Sequence, residues 1–410
     1  MSPAPSHDER TAVPEGSTAL IPERGHANIV DYVAGEMATM SERPFSEVDS
    51  LVLAKLAYFH WEGVPGVPER FGGRHQPTVR DLYRAEDFGT IFETVLDREL
   101  DRDLFSALAA SPRFRDVRVA HHVDSVDERD AKQFSATTFL LPDKTVYVAF
   151  RGTDNTIVGW KEDFNLAFAS AVPAQRAAVG YLDRAAAHLK GTIRVGGHSK
   201  GGNLAVYAAA RCEQATRDRI DRIFSHDGPG FNERTLGGAA YSAIADRVDK
   251  SVPESSMVGM LLEHQEAYHV IKSDAVGIMQ HDPYSWQVRE GDFVPAEGIS
   301  GGADYVNSTL SDWISSMDTD QMERFTNALF DVFGAGGTKK FQDMTMTDYK
   351  ASAEALVGMA PDERDMFVET IKSLASIGAR NLLPDSLMRA LGTAGVTAVG
   401  VEAPTGSTTA

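Results

Sequence analysis

The sequence is almost without cysteine. Its single thiol, Cys212, excludes an intrachain disulfide and a thiolate metal cluster, and reads as a small buried hydrophobe in a reducing compartment. Basic residues are outnumbered: 40 Lys and Arg face 59 Asp and Glu, and the resulting formal charge of −19 repels phosphate backbones and anionic lipid. That balance argues against nucleic acid as a partner. Long apolar runs are missing too, since nowhere do about 18 apolar residues follow one another. The first 26 residues are rich in Pro, Ser, Glu and His and lack the basic-then-apolar pattern of a secretory leader. The chain reads as cytoplasmic, with no stable membrane insertion.

What is present is an ordinary core. Of 410 residues, 42% are hydrophobic and 24% charged, enough apolar material for a full-sized globular domain. Residues 1–26 and 393–410 read as flexible tails, and residues 27–392 as one elaborated domain. Within it, 27–114 and 303–392 carry helical patterning, whereas about 115–300 alternates strands and helices. Strands are expected at 117–120, 134–141, 145–150, 192–195, 220–225 and 268–272, with helices at 174–189 and 201–213 between them. Such alternation predicts an α/β fold with a mostly parallel sheet covered by helices on both faces. The apolar run 257–262 reads as a core strand or helix that could also line an acyl pocket.

The most informative stretch is Gly197-His198-Ser199-Lys200-Gly201, which lies between a short apolar strand and an Ala-rich helix. A Gly-x-Ser-x-Gly motif in that setting is a nucleophile elbow. The serine occupies a strained strand-to-helix turn, and glycines two before and two after remove the Cβ atoms that would collide there. Ser199 is therefore the candidate nucleophile, with His198 structural and the backbone N–H of Lys200 one half of an oxyanion hole. The other half is expected after the preceding strand, where Phe150-Arg151-Gly152-Thr153 ends a compact apolar run. Gly152 allows close approach to substrate, and Thr153 supplies its N–H, with its hydroxyl as a further donor. Arg151 reads as a buttress held by a carboxylate.

Together the two motifs resemble the class 3 lipases, an α/β-hydrolase family with a Phe-Arg-Gly-Thr type loop and a Gly-His-Ser-x-Gly-Gly elbow. A fuller pattern resembles an uncharacterised bacterial family of lipase-like α/β hydrolases, a domain of unknown function. It includes residues 44–51, Ser199-Lys200-Gly201-Gly202-Asn203, His226-Asp227-Gly228-Pro229-Gly230-Phe231 and residues 280–286. The resemblance implies the α/β-hydrolase fold and a Ser-acid-His triad, and makes Asp163, in a Trp-x-x-Asp element, an orienting group for the oxyanion loop. Lys200 departs from the leucine usual in lipases, which argues against a lipid substrate.

For the base, four histidines follow Ser199. His226 abuts the best acid candidate on a strand end, His264 falls in a polar turn, and His269 lies inside a strand pattern. His281, on a Gly-containing loop after the last strand, remains. For the acid, Asp227 ends a strand and opens a tight turn, while the resemblance to class 3 lipases, whose acid comes one strand later, implies Asp249 and Glu254 as rivals. The chain is thus expected to be a serine hydrolase acting on a small-molecule or lipid carboxylic ester, without metal or cofactor. A thioesterase, peptidase or acyltransferase on the same scaffold, or a non-catalytic binding protein, are the alternatives. The charge of −19 favours a soluble or uncharged ester over a bilayer phospholipid.

Overall fold

The computed structural model describes residues 26–376 apart from 74, 94, 96, 155, 170, 233–237, 263–265 and 341–342. The two tails save His26, residues 377–392 and His264 lie outside these. The six strands read from the sequence and a further one, Val248–Pro253, form one seven-stranded sheet whose spatial order follows the chain. They are β1 (Arg118–Asp127), β2 (Lys132–Leu140), β3 (Val146–Phe150), β4 (Ile193–His198), β5 (Ile220–His226), β6 (Val248–Pro253) and β7 (Tyr268–Ile271). The first two pairings are antiparallel and the remaining four parallel, which is the mostly parallel, helix-covered sheet expected of an α/β fold.

Alternation along β3 shows how the sheet is covered. Val146, Val148 and Phe150 point into one core with Val195 and Ile223, under the long helices Pro173–His188 and Lys200–Arg211. Tyr147 and Ala149, with Phe224 of β5, point into another, against the N-terminal helices α1 (Ile29–Gly35), α2 (Glu47–Leu56) and α3 (Arg98–Ala110). Helix α2 starts where a Ser46–Asp49 capping box satisfies its first amides, and it lies across β3, β4 and β5. Residues 28–114 thus form the layer over one whole face of the sheet. Each large side chain fully buried there, such as Phe59, Trp61 or Phe105, contributes about 1.5–3 kcal/mol.

After β3 comes α4 (Ile157–Leu166), then α5 (Pro173–His188) and α6 (Lys200–Arg211). The last four helices, α7 (Gly301–Ser315), α8 (Thr319–Gly334), α9 (Met346–Gly358) and α10 (Pro361–Ser376), gather round Phe325 and Leu329 and pack on Trp160, Phe164 and Phe168 at the α4 side. Among the described residues, no helix is long and apolar enough to cross a membrane.

Register positions the site. Phe150 pairs with Gly197, His198 with His226, and His226 with Ser251, so β3, β4 and β5 end level with one another. The residues that follow, Arg151 to Thr153, Ser199 and Asp227, therefore leave the sheet at one edge.

Candidate active site

Ser199 alone makes the turn between β4 and α6. Its φ of 60° and ψ of −135° lie where a non-glycine residue costs about 1–3 kcal/mol. The turn is held by Ser199 N–H donating to the His226 carbonyl and Gly202 N–H donating to that of Ser199, both at 2.9 Å. A Cβ on Gly197 would overlap the Gly201 backbone, and one on Gly201 would overlap the Phe150 carbonyl, so this elbow closes only with glycine at both places. The N-terminus of α6 then directs its positive end at the serine.

Asp227 leaves β5 with a φ of 49° and is wholly buried. One carboxylate oxygen accepts from His281 Nδ1 at 2.6 Å; the other accepts from Ser256 Oγ and from Gly259 N–H at 3.1 Å. The structure thus brings His281 to Asp227. Of the rival acids, Asp249 accepts from Arg222 at 2.6 Å and Glu254 receives Ser300 N–H on its backbone carbonyl at 2.7 Å. Among the described residues, neither carboxylate is hydrogen-bonded to a histidine. His269 joins Glu47 at 2.6 Å, away from Ser199.

The loop carrying His281 is stitched from several sides. Gln280 accepts from Ser255 N–H at 2.6 Å and donates to the Ala275 carbonyl at 3.0 Å, and the buried indole of Trp286 donates to the Gln280 carbonyl at 2.8 Å. Two residues before that indole, Tyr284 donates to Asp101 of α3 at 2.5 Å, and Asp101 is paired with Lys55 of α2 at 3.3 Å. With Nδ1 committed to Asp227, the free nitrogen of the half-buried imidazole is Nε2. No hydrogen bond joins it to Ser199 Oγ.

On the other side of Ser199 stands the loop after β3. Arg151 is buried and grips Asp124 with two bonds of 2.7 and 3.2 Å and Asp154 with one of 3.3 Å. A Cβ on Gly152 would overlap Tyr58 Oη and the His198 carbonyl and stand 3.0 Å from Ser199 Cβ. The hydroxyl of Thr153 donates to Asp163 at 2.5 Å, so its proton is committed within the loop rather than offered to a substrate. The N–H of Thr153 finds no acceptor among the described residues, and that of Lys200 begins a helix and has no intrahelical one. Burial pushes the Asp163 carboxyl up to about 6, against the opposing charge of Lys200.

The side chain of Lys200 turns inward. Its ammonium is 1% exposed and donates to the Gln133 carbonyl at 3.1 Å, Gln133 Oε1 at 2.6 Å and Glu162 at 3.1 Å, and lies 3.8 Å from Asp163. Glu162 also receives Gln133 N–H and Ala174 N–H, at 3.0 and 2.8 Å. The cation therefore faces the interior beneath the loop after β3, through Glu162 and Asp163. Its presence at the elbow carries no argument against an apolar acyl group.

Residues 257–262 form neither strand nor helix: they are a half-buried loop that wraps the acid, delivering Gly259 N–H to Asp227. No core element forms here, and Leu261 packs with the C-terminal helices instead of with the sheet. Leu262 helps to line a cavity of about 380 Å³ with Phe168, Phe231, Ile314 and Met322. Tyr58, Gln133, Glu162 and Ser256 escaped the sequence reading, since each meets the site through a contact far along the chain. No three His, Cys, Asp or Glu among the described residues are arranged to hold a metal.

A family model described as Mbeg1-like matches residues 108–331. No curated protein matches the chain. Among solved structures, it is similar to the Rhizomucor miehei lipase propeptide complex at 16% identity and a TM-score of 0.28, over 38% of this chain and 57% of that one. It is similar to an M37 lipase at 14% identity and a TM-score of 0.33, over 53% and 70% of the two chains. For the Lip2 lipase from Yarrowia lipolytica the values are 12%, 0.32, 59% and 93%. The chain thus spans little more than half the length of the Rhizomucor chain.

Proposed function

Since the chain belongs to the Mbeg1-like family, whose matched region contains the elbow and both partners of the buried Asp227–His281 pair, we propose that it is a serine hydrolase of carboxylic esters acting in the cytoplasm. The observation that carries this reading is the hydrogen-bonded Asp227–His281 pair beside a serine held at positive φ. A strained, half-buried serine next to an imidazole with one free nitrogen is the arrangement acyl transfer requires.

The residues divide the work as follows. Ser199 Oγ attacks the ester carbonyl carbon while His281 Nε2 takes its proton, and Asp227 holds Nδ1–H so that the correct nitrogen is free. The carbonyl oxygen becomes an oxyanion between the N–H groups of Thr153 and Lys200; one such donor is worth roughly 2.7–4 kcal/mol. The imidazolium returns its proton to the departing alkoxide, and the alcohol leaves an acyl-serine. Water, deprotonated by His281, then attacks the acyl carbon and releases the acid and Ser199. The net charge favours uncharged esters, and no nucleic acid takes part.

A panel of p-nitrophenyl esters, acyl-CoA thioesters and peptides, run with wild type and Ser199→Ala, tests the assignment. Ester turnover lost in the variant is the expected result. Dominant turnover of thioesters or peptides would reassign the acyl group, and equal rates in both proteins would remove Ser199 from the reaction.

A further inference from the structure

Two side chains and a backbone carbonyl run in a line from the turn after α2 to the histidine loop. His198 precedes the nucleophile, is buried, and places Nε2 2.8 Å from the carbonyl oxygen of His281. A carbonyl only accepts, so Nε2 carries the proton. In a neutral ring Nδ1 is then a lone pair, and it faces Tyr58 Oη at 3.2 Å, with the His198 carbonyl 3.4 Å from the same hydroxyl. Tyr58 in turn packs against Gly152, close enough that a Cβ there would overlap its hydroxyl. Burial holds the His198 imidazole well below its ordinary pKa, which keeps it neutral. The ring is also fixed by its neighbours: it lies 4.6 Å from the His281 ring and 6.1 Å, edge-on, from Trp286.

Resting on the serine-hydrolase reading above, we infer that Tyr58 and His198 are positioning residues, a directional hydrogen-bond chain that sets the His281 loop relative to Ser199 and the oxyanion loop. Its direction is fixed at the far end, where the carbonyl of His281 accepts from Nε2. With the Nε2 proton spent there, Nδ1 accepts, and Tyr58 Oη is the donor to His198. The chain ties the base to the nucleophile through the backbone of His281, which no contact of the Asp227 carboxylate does. It also makes α2 and the turn after it, far from the catalytic residues in sequence, part of the catalytic geometry.

The two nitrogens of His198 can be replaced one at a time. Glutamine carries an N–H at the place of Nε2, whereas asparagine reaches only the place of Nδ1. Hydrolysis of p-nitrophenyl butyrate by the full chain is the readout. His198→Leu lowers kcat roughly ten- to hundredfold with KM within about twofold, because a misplaced base costs turnover rather than binding. His198→Gln recovers most of kcat and His198→Asn does not. Tyr58→Phe, which keeps the packed ring and covers the case in which the leucine variant does not fold, lowers kcat about three- to tenfold, as the loss of one hydrogen bond does. A wild-type kcat in Tyr58→Phe, or a glutamine variant no better than the asparagine one, would overturn the inference. Full activity in Ser199→Ala would instead overturn the hydrolase reading on which it rests.

Discussion

Asp227 spends both carboxylate oxygens on fixed donors, one on His281 and the other on Ser256 and Gly259. Replacing it by asparagine keeps a residue that tolerates positive φ but removes the acceptor that selects the histidine tautomer. Asp227→Asn is expected to fold and to lose about 10³–10⁴ in kcat, by analogy of role with the triad aspartate. A loss below tenfold in an esterase assay would give the acid to another residue. Asp163 makes a pH-dependent prediction. Its folded value of about 6 lies above the ordinary 3.8, so the native state binds the proton more tightly than the unfolded chain does. The cost of its charge is absent below the lower value, grows between the two, and is complete above the higher. Stability of Asp163→Asn relative to wild type should therefore rise as pH goes from about 4 to 7, read from urea unfolding at each pH. A difference that stays constant with pH would contradict it. Lys200→Met leaves Glu162 buried without its cation and should cost about 3–5 kcal/mol by the same measurement, most of it recovered by adding Glu162→Gln.

At the scale of elements, the level ends of β3, β4 and β5 bring residues 151–153, Ser199 and Asp227 to one edge of the sheet. Asn307 of α7 donates to the Ser256 carbonyl at 2.9 Å, one bond from the Asp227 carboxylate. Phe325 of α8 is wholly buried in the cluster that holds these helices to α4. Phe325→Ala should destabilise the protein by about 3–5 kcal/mol, and a thermal midpoint within a degree of wild type would show the cluster to be loosely packed. The contrast between legible and illegible elements is physical. The elbow could be read from Gly197 to Gly201 because its steric demand lies within five residues. The strands from β3 to β5 and the helices α5 and α6 showed because their apolar periodicity is local. Strand β6, with Lys250, Ser251 and Pro253 among its six residues, has no such signal and was legible only through the resemblance. Partners such as Lys200 with Glu162, or Tyr58 with His198, are 38 and 140 residues apart, and nothing local encodes them.

At the scale of the molecule, residues 28–114 are the cover of one sheet face rather than an appendage beside it. They bury Tyr147, Ala149 and Phe224, and they supply Lys55, Tyr58 and Asp101 to the surroundings of the histidine loop. A chain begun at residue 115 should therefore be aggregated in size-exclusion chromatography and inactive toward esters; a monodisperse, active fragment would contradict this. The central claim is that one serine, activated by one histidine, is the nucleophile. It is tested most directly by fluorophosphonate labelling followed by mass-spectrometric mapping of the adduct. The expected result is a single adduct on Ser199, absent in Ser199→Ala and formed far more slowly in His281→Ala; an unlabelled protein, or an adduct on another residue, would contradict the account.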